Sequence, residues 1–420
     1  MAARIAQRTG QSLPKQCGDW AELKAAYRLL SNRHVEPTAI SRPHRELTYT
    51  ACTGQTVVLA VQDDTHVGGR CDRECHSTLA VLPEGRLLGL LDQRFFERVQ
   101  AGPEETRLKR EARWRESLVW PEAVEAIGPA PADCRFIHLA DRAGDVLEFM
   151  EACRDSQVGF IVRARHDRRV QEGTDKLWSF LAGQPLAATC TVQVGEQRDA
   201  QGRIVCRHRQ AQMELRFSCV QLEPPYNHPG DHRPQPVVAV YLREQNPPPQ
   251  VEPIDWMLLT SEPVASDQDA LRIVSYYERR WVIEEWHKAL KEGCALEASQ
   301  LDEPEDCLRL ASILSVVAVR LLQLRDLADP EHPDADCPEA LRRWAPPLWV
   351  QVVSQHAGLS PHQMTPRLFL LTIAKQGGFL ARKCDGRPGW KVIWRGWYDF
   401  SLIVQGADLA LNQPTPIRSG

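Results

Sequence analysis

The sequence has no excess of either charge: its 420 residues hold 51 Lys+Arg against 55 Asp+Glu. That balance excludes a uniformly basic nucleic-acid coat, so any contact with nucleic acid must come from local patches. It also lacks an uninterrupted apolar run of membrane length. The long apolar stretch around Ser312–Leu324 is broken by Arg320 and predicts a buried helix. The first residues, MAARIAQRTG, have neither the hydrophobic centre nor the cleavage-like site of a secretion leader. There is no internal repeat, and with 43% hydrophobic residues the chain is not disordered. Cysteine is scattered and odd in number, 13 from Cys17 to Cys384, which excludes a disulfide scaffold and fits a reducing cytosol. Cys71, Cys75 and His76 form C-x3-C-H, but no second ligand pair follows at close spacing; Cys206 and His208 lie far downstream. Ordinary thiols are therefore expected rather than zinc.

What is present reads as a mixed α/β chain. Residues 1–50 are expected to be helical, with Trp20, Leu23, Ala26, Tyr27 and Leu30 at helical spacing. At 56 the period changes to a short buried strand that ends at Gln62-Asp63-Asp64-Thr65. A hairpin follows, 77–82 and 86–91, across Pro83-Glu84-Gly85. Residues 103–127 are expected to be helical and basic. A second buried strand, Phe136–Ala140, runs into Asp141-Arg142-Ala143-Gly144-Asp145, before a helix at 146–154 and a strand at 159–162. Residues 170–253 read as a β-rich insertion that closes a first core part at 51–169. Core residues resume at 254–328 with a strand, Trp256–Thr260, a long helix capped by Ser266 and Asp269, and a second helix at 307–327. The proline-rich 329–347 reads as a linker, and 348–420 as a small helical domain.

Asp63 and Asp141 carry the chemistry of this pattern. Each ends a buried strand, and adjacent parallel strands would bring both carboxylates to one sheet edge. Crowded anions cost energy unless a cation neutralises them, and hard oxygen ligands suit Mg²⁺ or Mn²⁺. An Asp closing a strand is also a common turn residue. Asp64 is a rival to Asp63 that strand alternation separates only weakly. Between 276 and 291, Tyr277, Arg280, Glu284 and Lys291 recur at steps of three, four and seven, which is one face of a helix. A carboxylate flanked by two cations and a phenol suits phosphodiester chemistry. A solvated helix with Glu–Arg and Glu–Lys pairs is the competing reading.

The string YERRWVIEEWHKALK, Tyr277–Lys291, resembles the Y-(2)-R-(3)-E-(6)-K signature of the insertion-sequence-four family of DDE transposases. QDDT at 62–65 and ADRAGD at 140–145 resemble the segments that hold that family's two aspartates. WMLLTSEPV, ILSVVAVRLLQLRD and GWKVIWRGWYDF are similar in the same order. The resemblance implies a ribonuclease-H-like core, a mixed sheet flanked by helices, with a β insertion and a C-terminal helical domain used in dimerisation. It implies Asp63, Asp141 and Glu284 as a catalytic triad holding two Mg²⁺ (or Mn²⁺) ions. Tyr277, Arg280 and Lys291 would grip the DNA backbone, and Trp256 would stack on a base flipped from the DNA end. The implied activity is cut-and-paste transposition, through a DNA hairpin, by a homodimer acting on terminal inverted repeats and target DNA in a bacterial cytoplasm. The family's N-terminal end-recognition segment is expected to be lacking here, because Met1 falls inside the pattern, just before IAQRTGQS, which leaves residues 1–50 as a partial DNA-binding region. A truncated, inhibitory derivative, or a nuclease without strand transfer, would share the same core.

Three basic runs would supply the local patches: Arg107–Arg115; Arg163, Arg165, Arg168 and Arg169; and Arg382–Arg395 interleaved with Trp390, Trp394 and Trp397.

Overall fold

The computed structural model describes residues 11–411 except 18, 70, 99–113, 173–175, 196, 199–203, 207, 225–232, 250 and 383–384. The chain divides into two compact units. One comprises Glu46–Asp64 and Cys75–Ile283; the other takes Met1–Arg45, Thr65–Glu74 and Glu284–Gly420.

The first unit is built on a nine-stranded sheet. Its strands are β1 (Val57–Val67), β2 (Arg73–Val81), β3 (Leu87–Phe96), β4 (Arg135–Ala140), β5 (Gly159–Arg163), β6 (Ala188–Val194), β9 (Arg209–Leu222), β10 (Gln235–Glu244) and β11 (Asp255–Thr260). A separate ribbon pairs β7 (Gln197–Arg198) with β8 (Ile204–Cys206). The sheet order is β3-β2-β1-β4-β5-β11-β10-β9-β6. β1, β4 and β5 run parallel; β5–β11, β11–β10, β10–β9 and β9–β6 pair antiparallel. The expected mixed sheet and β-rich insertion are both there, and β6, β9 and β10 of the insertion extend the core sheet. The β2–β3 turn is closed by Gly85 at φ +100°, a conformation glycine adopts without penalty.

The helices, in chain order, are α1 (Trp20–Leu30), α2 (Pro37–Ala51), α3 (Val119–Ile127), α4 (Leu147–Asp155), α5 (Asp267–Glu278), α6 (Trp281–Lys288), α7 (Pro304–Leu327), α8 (Pro338–Trp344), α9 (Pro347–His356), α10 (Pro366–Gln376) and α11 (Trp390–Leu411). α3 and α4 lay Trp120, Val124, Phe149 and Met150 on the sheet residues Val58, Ala60, Phe136 and Phe160, a largely apolar core. Most of the basic run 103–115 lies outside the described residues; its last member, Arg115, pairs with Glu148 at 2.8 Å.

The second unit is helical. α7 is long and apolar enough to cross a membrane by composition, yet it is buried within the protein. Its buried Arg309 donates to the Leu30 and Val35 carbonyls, which fastens the end of α1. The expected linker contains α8, whose Leu341 is fully buried, so 329–347 is packed structure. α10 and α11 approach so closely that a Cβ on Gly396 would lie 1.7 Å from the Ile373 carbonyl oxygen.

Two expectations need correction here. The predicted continuous helix from Ser266 through Lys291 is in pieces. Ser266 and Asp269 form the expected capping box, but α5 stops at Glu278. The chain turns through short i→i+3 bonds at Arg279 and Arg280 before α6, and Cys294 N then bonds back to Ala289 O in a wider turn. The tail tryptophans are core residues rather than a DNA-facing surface. Trp397 stacks on Trp349 at 4.6 Å, Trp390 stacks on Trp394 at 4.9 Å, and Arg325 lies over the Trp390 ring. Arg382 and Arg387 are engaged with Asp385 and Asp329.

Candidate active site

The parallel pairing of β1 and β4 places the two aspartates. Val61 lies opposite Leu139, and two residues further along stand Asp63 and Asp141. In-register residues of parallel strands share a face, so both carboxylates emerge on one side just past the last β1–β4 pair; Asp141 follows the end of β4 as expected, but Asp63 does not end its strand, because β1 runs on to Val67. The next strand continues the row: Ala140 lies opposite Val162, followed by Asp141 and Arg163. Arg163 in turn lies opposite Leu258 of β11, the strand that begins with Asp255 and Trp256. One edge of the sheet thus carries Asp63, Asp141, Arg163 and Trp256.

Helix α5 and its terminal turn complete the cluster. Arg280 Nη1 donates to Asp63 Oδ2 at 2.8 Å, and Asp63 Oδ1 accepts from the Asp64 amide. Tyr277 meets Trp256 edge-on with centroids 5.4 Å apart, and the Arg163 guanidinium lies 5.9 Å from the Trp256 ring centre. Burial pushes the Tyr277 phenol above its usual range, against the pull of Arg280 and Arg163, with the Asp141 charge adding to the rise. Burial likewise pulls Arg163 below the usual guanidinium range; Tyr277 opposes that shift, while Arg142 and Arg280 reinforce it. The base of Trp256 is rigidly held: Asp255 accepts from Tyr241 OH at 2.9 Å and from Trp178 Nε1 at 3.1 Å, and its carbonyl accepts from Arg163.

Six of the nine expected site residues therefore meet in one unit: Asp63, Asp141, Arg163, Trp256, Tyr277 and Arg280. Arg165 sits in the loop after β5 with its amide donating to Asp145. Glu284 stands in the first turn of α6, four residues beyond Arg280, and Lys291 in the wider turn that follows. Both are partly exposed and fall in the helical unit.

The two adjacent aspartates of β1 are separated by what faces them. Asp64 points to the opposite side of β1 and accepts from His76 Nδ1 at 2.6 Å. His76 Nε2 meets Gln62 Oε1 at 3.1 Å, and Gln62 Nε2 meets His138 Nδ1 at 2.6 Å. Gln62, His76 and His138 are fully buried. Burial, with the nearby His76 as a smaller cause, lowers His138 to about 3. Sequence reasoning missed this network because its members are spread over three strands. It also missed Asp145, which is buried and pairs with Arg168 at 2.6 Å, so Arg168 is an internal ion pair rather than part of a basic patch. Trp281, the residue after Arg280, is 63% exposed.

The donor set suits a hard divalent ion. One Asp141 oxygen accepts from the Ala143 amide at 2.7 Å, and the other has no partner among the described residues. Asp63, in register beside it, offers a second carboxylate, with no thiol in the row.

The sequence matches two known family models. Residues 119–316 match the transposase DDE domain, a span that includes Asp141, Trp256, Tyr277, Arg280, Glu284 and Lys291. The chain carries a transposase DDE domain and is a DNA transposase. Its residues 1–35 match the transposase DNA-binding segment, within the stretch expected to be a partial DNA-binding region. A solved piggyBac transposase synaptic complex with hairpin DNA aligns over 100% of this chain and 76% of that one, at 8% identity and a TM-score of 0.37. That likeness is too slight to build on. DDE transposase chemistry depends on divalent metal, and DNA is the partner.

Proposed function

We propose that this transposase cuts and rejoins DNA at terminal inverted repeats by a cut-and-paste route of the insertion-sequence-four type. The reading is carried by one observation: Asp63 and Asp141 stand in register just past the paired segment of two parallel strands, with Arg280 bonded to Asp63. In this reading Glu284, one turn beyond Arg280, completes a triad that holds two Mg²⁺ or Mn²⁺ ions. Bound there, the ions neutralise charge on the phosphoryl oxygens and ease deprotonation of the attacking hydroxyl.

The other residues bind and orient. Arg280, Arg163 and Lys291 hold phosphate oxygens, with Arg165 at the rim, and the Tyr277 hydroxyl donates to a non-bridging oxygen. Trp256, half-buried on its fixed strand end, stacks on an unpaired base and favours an opened DNA end suited to hairpin formation. Two DNA ends require two active sites, so the working form is a homodimer in the cytoplasm, with residues 348–420 as its dimerisation domain.

The test is incubation with Mg²⁺ and a labelled duplex carrying the inverted repeat that flanks the gene. Nicks, hairpins and strands joined to a target plasmid are expected. Nicks without joined strands would reduce the protein to a nuclease, and intact duplex would overturn the proposal.

A further inference from the structure

Beneath the carboxylate face, the sheet buries polar groups where its core is otherwise apolar. Buried polar side chains cost stability unless partnered, and mutual partnering here spans three strands. The chain of contacts runs from Asp64 on β1 to His76 on β2, back to Gln62 on β1, and on to His138 on β4. Whichever way the Gln62 amide faces, each end meets a ring nitrogen. The His76 ring is also held edge-on against Trp120, with centroids 4.8 Å apart. Apolar residues of similar size would pack these strands without the desolvation cost. What the network adds is directional: it works in one register and one facing of β1 only.

That restriction matters because β1 carries two adjacent aspartates just past its last pairing with β4. A one-residue slip of a strand exchanges its faces, so Asp64 would take the place of Asp63 beside Asp141. We infer that the Asp64–His76–Gln62–His138 chain is a positioning device that keeps Asp63 on the catalytic face and fixes its stagger against Asp141. Asp64 and His76 are positioning residues that touch no substrate. Asp64 is the member that reads the facing of β1, and His76 ties it to β2. The inference rests on the proposed role of Asp63 and Asp141 as metal ligands.

The test uses the full chain bound to the same inverted-repeat duplex. Free Mn²⁺ is counted by electron paramagnetic resonance, alongside duplex affinity and thermal melting. Asp64→Ala and His76→Ala are expected to weaken Mn²⁺ binding at least tenfold, with duplex affinity within about twofold. Asp64→Asn, which keeps an oxygen for His76, recovers most of the binding. The side chain of Asp64 is partly exposed, so its variants remain informative if His76→Ala fails to fold. Unchanged Mn²⁺ affinity in a folded Asp64→Ala protein would overturn the positioning role. Full Mn²⁺ binding in Asp63→Asn and Asp141→Asn would instead overturn the ligand assignment, so the two failures are distinguishable.

Discussion

Two regions of this protein pair arginine with tryptophan, and they use the pairing in opposite ways. At the sheet edge, Arg163 lies over a half-buried Trp256 while Arg280 reaches the Asp63 carboxylate on β1. In the helical unit, Arg325 lies over Trp390, but that arginine is bound to Glu285 and the neighbouring tryptophans are the core. The same residue types make a half-open cluster in one place, the proposed DNA-binding surface, and packing in the other. The distinction lies in what else the arginine touches and how much of the ring water can reach.

Substitutions separate the two regions. The largest effect is expected from Asp63→Asn or Asp141→Asn at the sheet edge. Cleavage in Mg²⁺ should fall at least about a thousandfold while duplex binding persists, because a ligand is lost and the phosphate contacts are not. Next, Trp397→Ala should cost about 3–5 kcal/mol in denaturant unfolding, as for a large core ring. Trp256→Ala should cost clearly less stability, yet slow end cleavage by about tenfold or more through lost stacking worth ~1–3 kcal/mol. If Trp256→Ala proved as destabilising as Trp397→Ala, the contrast between the two regions would break.

Smaller effects sharpen it. Arg280→Ala should weaken duplex binding and reduce the salt slope by about one. Arg382→Ala, exposed and paired with Asp385, should change neither beyond about 0.5 kcal/mol. The smallest effect is on acid stability, and both units contribute. Burial lowers His138 to about 3, and burial with the Arg320 charge lowers His44 to about 4. Unfolded histidines, with pKa near 6.5, take up protons that these native ones refuse. Stability is thus complete above about pH 6.5 and declines as pH falls towards 4 and then 3. Melting temperature against pH should show that decline, and His138→Asn should flatten it.

Much of this was legible in the residues. The buried strands before Asp63 and Asp141 announced themselves by β-branched runs, and the Ser266–Asp269 cap by its spacing. The opposite facings of Asp63 and Asp64 were only weakly legible. Four polar residues in succession, Gln62 to Thr65, leave little alternation to read, and the partner of Asp64, His76, comes from another strand. The break in the signature helix was equally hidden. No glycine or proline marks Arg279–Arg280; the turn is accompanied by tertiary contacts from Arg279 to the Pro83 carbonyl and from Arg280 to Asp63. The tail misled because basic and aromatic interleaving is equally the pattern of an amphipathic core helix edged with arginine.

The most direct measurement replaces the catalytic metal with Fe²⁺ and, with ascorbate and peroxide, maps where the polypeptide itself is cut. Cuts clustered at 62–64, 140–142 and 283–285, all suppressed by excess Mg²⁺, are the predicted result. Cuts at only one of these segments, or a pattern indifferent to Mg²⁺, would contradict a metal centre shared by Asp63, Asp141 and Glu284.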